Sequence, residues 1–217
     1  MINIEYLKKE QEEIAQKIKL VDIIKKIEII GASDVAFSFT YGYACFATFT
    51  YPELEFLEEI IIKDKIDFPY LPEFLSYREL KFIIKAYQKI KEKPDVILVD
   101  GQGILHPRKA GIASHLGVVI NKPTIGIAKS LLIGEIKGSL KENKFSYLPI
   151  FFNNEVFGFV LRSRRKTKPI YISPGNLITK EKALEIVINC CKKFRIPEPL
   201  RYVHIKAKIA KFKDEKS

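Results

Sequence analysis

The chain has 217 residues, 47% of them hydrophobic and 29% charged, which excludes a disordered polymer and leaves enough apolar mass for a buried core. Lys and Arg number 37 against 26 Asp and Glu, a net charge of +11, so a nucleic acid is the partner to test, with plain solubility as the alternative. No apolar run approaches the ~20 residues of a membrane span, and the opening "MINIEYLKKEQEEIAQ" lacks a signal core, so a cytoplasmic protein without membrane attachment is expected.

No internal repeat or long Gly, Ser or Pro linker breaks the sequence, so residues 1–217 are read as a single domain; a monomer is expected. Leu7, Ile14, Ile18 and Val21 recur at helical spacing and predict a helix over 5–25. The segment "ASDVAFSFTYGYACFATFTY" then alternates. Val35, Phe37, Phe39 and Tyr41 share one strand face, and Asp34, Ala36, Ser38 and Thr40 share the other. Gly42 is read as the turn into a second strand, 43–51, and "ELEFLEEIIIKD" as a third, giving an antiparallel meander. Residues 77–91 read as a helix and 95–99 as an apolar strand. A Gly-rich loop, a helix over 108–120 and the strand "TIGIA" opened by Pro123 complete a parallel strand–helix–strand unit. Further on, "YLPIFFNNEVFGFVLRS" reads as a hairpin turning at Asn153–Asn154, and "PIYIS" as a short strand. Thr179 is read as the cap of a helix over 180–194, with Ala183, Ile186, Val187, Cys190 and Phe194 on its inner face. From about Arg201 the chain is read as a basic tail. Three antiparallel strands followed by parallel ones, with helices on both faces, is the strand order of the α/β ribonuclease H-like mixed sheet.

Three carboxylates have two readings each. Asp100 ends a strand that is apolar on both faces, at the edge where open α/β sheets place ligands. An ionised carboxylate there needs a partner or a metal, unless it caps its own loop through the Gly101 and Gly103 amides. Asp34 begins the first strand and is either a solvated strand-end acid or a ligand with small residues beside it. Glu79 closes "SYRE", a capping box, yet Phe82, Ile83, Ala86, Tyr87 and Ile90 follow it on one stripe, so it is cap or ligand. The three cysteines (Cys45, Cys190, Cys191) and three histidines (His106, His115, His204) show no zinc spacing or disulfide framework. Oxygen donors select a hard cation, Mg²⁺ or Mn²⁺. Lys129, just past "TIGIA", reaches the same edge and is read as a cation for phosphate or as a solvated strand-end lysine.

At these residues the chain resembles the endonuclease V family, over roughly 20 to 205. The specific block is "VDGQGILHPRKAGIASHLGV" with "KPTIGIAKSLL"; "FPYLPEFLSYRE", "YISPGN" and "FRIPEPLRYVH" support it in the family's order. The resemblance implies a Mg²⁺-dependent endonuclease, with Mn²⁺ able to substitute, that acts on deoxyinosine in single- or double-stranded DNA. It implies hydrolysis of the second phosphodiester bond 3′ of the lesion, leaving 3′-hydroxyl and 5′-phosphate ends, in DNA repair. An inosine-directed ribonuclease and a non-cleaving inosine-binding module stay open. By the same match, Asp34, Glu79 and Asp100 are metal-binding and catalytic, with Lys129 the active-site lysine. Pro69, Tyr70, Leu71 and Pro72 match the wedge that enters the duplex, and Leu75, Gly101, Gly103, Ile112 and Leu132 match the base pocket.

Two residues depart from the family pattern. Asn176 follows the late "PG" where a histidine is common, and Gln102 replaces the first histidine of "DG-x-G". Asn176 and His106 are therefore read as auxiliary to the site, with His106 retained as a donor to phosphate and Asn176 unable to titrate.

Overall fold

The computed structural model describes residues 2–216. Nine strands form one mixed sheet in the order β3-β2-β1-β4-β5-β9-β8-β7-β6. The meander is β1 (Ile29–Phe37), β2 (Tyr41–Thr50) and β3 (Phe56–Lys65), antiparallel throughout. Next to it β4 (Val96–Asp100) and β5 (Thr124–Ala128) run parallel to β1. The far half holds β6 (Glu135–Ile136), β7 (Ser146–Phe152), β8 (Glu155–Arg162) and β9 (Ile170–Asn176), all antiparallel. The β7–β8 turn falls at Asn153–Asn154, with φ of 50° and 64°, the left-handed pair that a tight hairpin favours and asparagine tolerates. This is the ribonuclease H-like sheet the strand order predicts.

Helices cover both faces, because alternate residues of the central strands are apolar on both sides. Ile97 and Val99 pack beneath α2 (Leu75–Lys89) and α3 (Ile112–Val119). Val96 and Leu98 pack beneath α4 (Lys180–Asn189) and α5 (Glu198–Glu215). The first helix, α1 (Ile4–Lys17), buries Leu7, Gln11 and Ile14 and lies against α3.

The structure corrects several expectations. The first helix stops at Lys17 instead of reaching residue 25, because Lys19 is drawn onto β9. Its N–H donates to Asn176 Oδ1 (2.9 Å), and its carbonyl accepts from Leu177 N–H (2.7 Å). Gly42 is a strand residue opposite Phe37, and a Cβ there would lie 2.6 Å from the Phe82 ring; the turn is at 38–40, and Phe39 projects from it. The last predicted helix divides at Cys190. Phe194 falls in the following loop, partly exposed under the Arg201 guanidinium (3.8 Å to its ring centroid), and is not on the inner face of α4. The short strand "PIYIS" continues to Asn176.

The largest correction concerns the presumed basic tail. Residues from Glu198 onward form α5, eighteen residues long, laid across β1 and β2 with Pro199, Leu200, Val203 and Ala207 buried. Its far end is fixed by Asp214, which accepts from Tyr43 Oη (2.5 Å) and pairs with Lys63. Val203→Asp should therefore destabilise the protein by about 3 kcal/mol or more, the cost of an unpaired carboxylate in a closed core. Urea unfolding measures this; a solvated tail would absorb the change without effect.

Candidate active site

The two strand acids meet through register and parity. Ser33 is opposite Val99 in the parallel β1–β4 pair, so Asp34 and Asp100 are the next residues on adjacent strands, ~4.8 Å apart by strand spacing. Asp34 follows Ala32 and Asp100 follows Leu98 on the face covered by α5. From α5, His204 Nδ1 donates to Asp34 Oδ2 at 2.6 Å. One ligand atom from each of Asp34, Asp100 and His204 fits within a mutual 4.8 Å. Lys129, one residue past β5, pairs with Asp100.

Glu79 approaches from the other helical layer and is 8% exposed. The capping box does not form. Phe74 holds the N-cap position without a side-chain bond, and Ser76 lies inside α2, sharing a 3.1 Å hydrogen bond with His115 Nδ1. Glu79 is thus released from the helix end. Burial raises its carboxyl well above the ordinary range, and the Asp34 and Asp100 charges raise it further. Asp100 is raised by burial and by Asp34, with Lys129 opposing.

A cavity of about 450 Å³ opens beside these acids, lined by Leu75, Gly101, Ile112 and Leu132 among others. Gly101 has φ +138°, and a Cβ on it would lie 2.6 Å from Ile112 Cγ2; the chain turns out of β4 here because no side chain stands in the way. Tyr70, 65% exposed, stands at the cavity mouth. Its loop is anchored through Glu73, whose backbone has φ 68°. The Glu73 carbonyl accepts from Gln11 Nε2 (2.7 Å) and His106 Nε2 (2.8 Å), and its carboxylate pairs with Arg108 (2.7 Å). An exposed aromatic tip on a tethered base suits insertion between stacked nucleotides.

Three expected site residues have other duties. Gly103 lies outside the cavity lining; its N–H donates to Ser173 Oγ (2.9 Å) and its carbonyl accepts from Gly111 N–H (3.1 Å), so neither group is left for a base. Asn176 is opposite Thr124, at the start of β5, whereas Lys129 follows that strand's end. It is therefore on the opposite edge of the sheet from the acids, buried, with Oδ1 on Lys19 and Nδ2 on the Gly117 carbonyl (2.9 Å). It is not auxiliary to this site. His106 lines the cavity but spends both ring nitrogens internally: Nε2–H on Glu73 and Nδ1 accepting from Arg108 N–H at 3.3 Å. Burial lowers its pKa to about 4, so it is a neutral brace for the Tyr70 loop and not a phosphate donor. Gln102 Nε2 ties the glycine loop to the Ser130 carbonyl (3.0 Å).

His204 and Lys208, both cavity-lining, fall in the stretch that reads as a basic tail. Leu200, Val203 and Ala207 nevertheless follow helical spacing behind "IPEP", which places His204 beside the buried stripe.

The sequence profile described as Endonuclease V matches residues 12–205. Endonuclease V of Rippkaea orientalis is 43% identical over 202 residues, spanning 92% of this chain and 88% of that protein. The crystal structure of endonuclease V from Bacillus subtilis superposes with a TM-score of 0.94 at 30% identity, covering 100% of this chain and 95% of that one. The chain belongs to the endonuclease V family. A further member, from Ciona intestinalis, was crystallised with a 24mer DNA containing an inosine followed by a ribo-adenosine; it is 31% identical with a TM-score of 0.87, over 97% of this chain and 98% of that one. Membership makes the protein a nuclease and accounts for the crowding of acids, which a family of divalent-cation enzymes requires.

The donors present fit such an ion. Asp34, Asp100 and His204 form the group whose ligand atoms lie within 4.8 Å of one another; Glu79 is outside that group but lines the same cavity with a further carboxylate, and a doubly charged cation would relieve the repulsion among the acids. Without one, burying Glu79 costs the folded state stability at neutral pH, because its carboxyl is raised by burial and by Asp34 and Asp100. That cost shrinks as pH falls below the raised folded-state value and is gone only below the ordinary carboxylate range, the reverse of ordinary acid destabilisation. Glu79→Gln should therefore melt higher than the wild type at neutral pH when cations are chelated, by ~2–4 °C for each kcal/mol recovered. The gap should close on acidification, and added Mg²⁺ should raise the wild type more than the variant. Differential scanning fluorimetry across pH checks all three.

Proposed function

We propose that this protein is a Mg²⁺-dependent endonuclease that recognises deoxyinosine in DNA and cuts the second phosphodiester bond on its 3′ side, leaving 3′-hydroxyl and 5′-phosphate ends, in the repair of deaminated adenine. The observation that carries this reading is the convergence of Asp34, Glu79, Asp100, Lys129 and His204 in the lining of a cavity large enough to admit a base, beside an exposed tyrosine. The inosine-containing DNA bound by the Ciona relative supports the substrate.

Asp34, Glu79 and Asp100 would hold Mg²⁺, or Mn²⁺ in its place. Bound there, the cation would supply a lowered pKa for a water and charge to offset that developing on a phosphodiester during in-line displacement. The residues of the chain supply the rest. Tyr70 takes the place of the extruded base and stacks on its former neighbours, a contact worth ~1–3 kcal/mol against an extrusion cost of a few kcal/mol. Leu75, Ile112 and Leu132 close on the base, and Gly101 lets it approach the backbone. Rejection of guanine would require packing against its 2-amino group, and rejection of adenine a donor to O6; the Gly101 and Gly103 N–H groups, bonded to the Ile127 carbonyl and Ser173 Oγ, are not that donor. The Lys129 ammonium, beside Asp100, neutralises a scissile phosphate oxygen. His204, aligned by its Nδ1–H bond to Asp34, exchanges a proton through Nε2 with the attacking water or the leaving oxygen.

End-labelled oligonucleotides with a single deoxyinosine should be cut only with Mg²⁺ or Mn²⁺, one nucleotide beyond the lesion's 3′ neighbouring bond; a cut elsewhere, or equal cutting of unmodified strands, removes the proposal. Asp100→Ala should abolish cleavage, by at least about 10³-fold, while preserving inosine-selective binding in a gel-shift assay. Tyr70→Ala should narrow the preference for inosine over adenine by about tenfold and leave the salt slope of binding unchanged. The ribo-adenosine after the inosine in the Ciona complex favours a second reading, cleavage of inosine in RNA. Parallel assays on matched ribo-inosine strands separate the two, since 2′-hydroxyl contacts distinguish RNA from DNA.

A further inference from the structure

Phe39 stands wholly in solvent, at 102% of its reference exposure, on the tip of the β1–β2 hairpin. Turns favour Gly, Asn, Asp and Ser, and this ring adds nothing to the core. The backbone beneath it is well tied. Ser38 N–H donates to the Tyr41 carbonyl (2.9 Å), Tyr41 N–H to Ser38 Oγ (3.0 Å), and Ile66 N–H to the Thr40 carbonyl (2.9 Å). Cations lie over the rings two positions to either side of Phe39, although Lys63 is also paired with Asp214. The Arg78 guanidinium lies 4.3 Å over the Phe37 ring and Lys63 Nζ 4.4 Å over Tyr41, with Lys65 opposite Tyr41 in the ladder. The neighbouring acids Asp64 and Asp67 are paired with Lys85 and Lys81.

The hairpin also has a defined position relative to the site. Across the sheet edge the order is β2, β1, β4, β5. The cavity is lined from Asp34, Val35 and Ala36 of β1, past Asp100 of β4, to Gly101, Lys129 and Leu132. The hairpin continues β1 beyond Ala36, so it adjoins the β1 end of the cavity, with the strand acids between it and the end formed by Gly101, Lys129 and Leu132. A strand with its altered base in the cavity and its scissile phosphate at the acids runs on toward Phe39. Asp34 and Phe39 are five positions apart, ~10–17 Å at the rise of a strand, which spans ~3–5 stacked nucleotides.

We infer that Phe39 is a second stacking platform, positioning the strand on the 3′ side of the cut by base–aromatic contact. This rests on the cleavage polarity proposed above. It predicts a role in ground-state binding, expressed in KM and dependent on the length of the 3′ flank.

The test is steady-state cleavage by the wild type, Phe39→Ala and Phe39→Trp, on inosine strands whose 3′ flank is either long or ends one nucleotide past the cut. On the long flank, Phe39→Ala should show about a tenfold higher KM with kcat unchanged, and Phe39→Trp should match the wild type. On the short flank all three should agree. Equal KM values on the long flank overturn the inference and leave the activity standing, as does a difference that persists on the short flank. If the wild type cuts no inosine strand, the proposed function fails instead. Phe39 is then judged by fluorescence anisotropy on the long strand in EDTA, where equal affinities for the wild type and Phe39→Ala overturn its role.

Discussion

Asp34, Glu79 and Asp100 repel one another in a setting too enclosed for water to disperse the repulsion, and three separate parts of the fold hold them there. Adjacent parallel strands fix the two aspartates by register, and a helix from the opposite layer brings in the glutamate. Burial already penalises the charge on Glu79 and Asp100, and their proximity to Asp34 adds to it. Confinement of this kind calls for positive charge; Lys129 supplies one such charge beside Asp100, and the acids would accommodate a divalent cation as another. The sheet order, the helix layers and the glycine at the end of β4 all serve to keep that confinement open to a substrate.

The surrounding polar residues divide by what their hydrogen bonds leave available. His106, Asn176 and Gly103 have committed their donors and acceptors to the scaffold. They hold the Tyr70 loop, the start of β5 and the glycine loop in place. His204 commits one nitrogen to Asp34 and retains the other beside the acids. An unspent hydrogen-bonding atom near the acids, more than residue type, separates His204 from these three scaffold residues.

Much of this was legible in the sequence. The apolar run ending in Asp100, the "TIGIA" strand and the Asn153–Asn154 hairpin are local signals, strong because periodicity and turn chemistry agree. The pairing of Asp34 with Asp100 followed once the strand order was inferred. What escaped detection depended on distant contacts. The stripe on α5 is built from a leucine, a valine and an alanine amid lysines, too weak to separate from a solvated tail until β1 and β2 are there to receive it. Asn176 follows a Pro-Gly pair that reads as a loop, yet β9 continues through it with a shift in register, carrying the residue away from the acids. Ser76 and Glu79 spell a cap, but Phe74 starts the helix two residues before Ser76 and the pair is absorbed inside it.

The placement of His204 has a bearing on how the enzyme comes into being. Asp34 comes from β1 and His204 from α5, and the two meet only after α5 has been laid across the first strands. A chain with that helix undocked carries every carboxylate but leaves Asp34 without its imidazole partner. Seating of the buried stripe Leu200, Val203 and Ala207 and completion of the Asp34–His204 pair are therefore a single event, which ties the site's last polar contact to closure of the core.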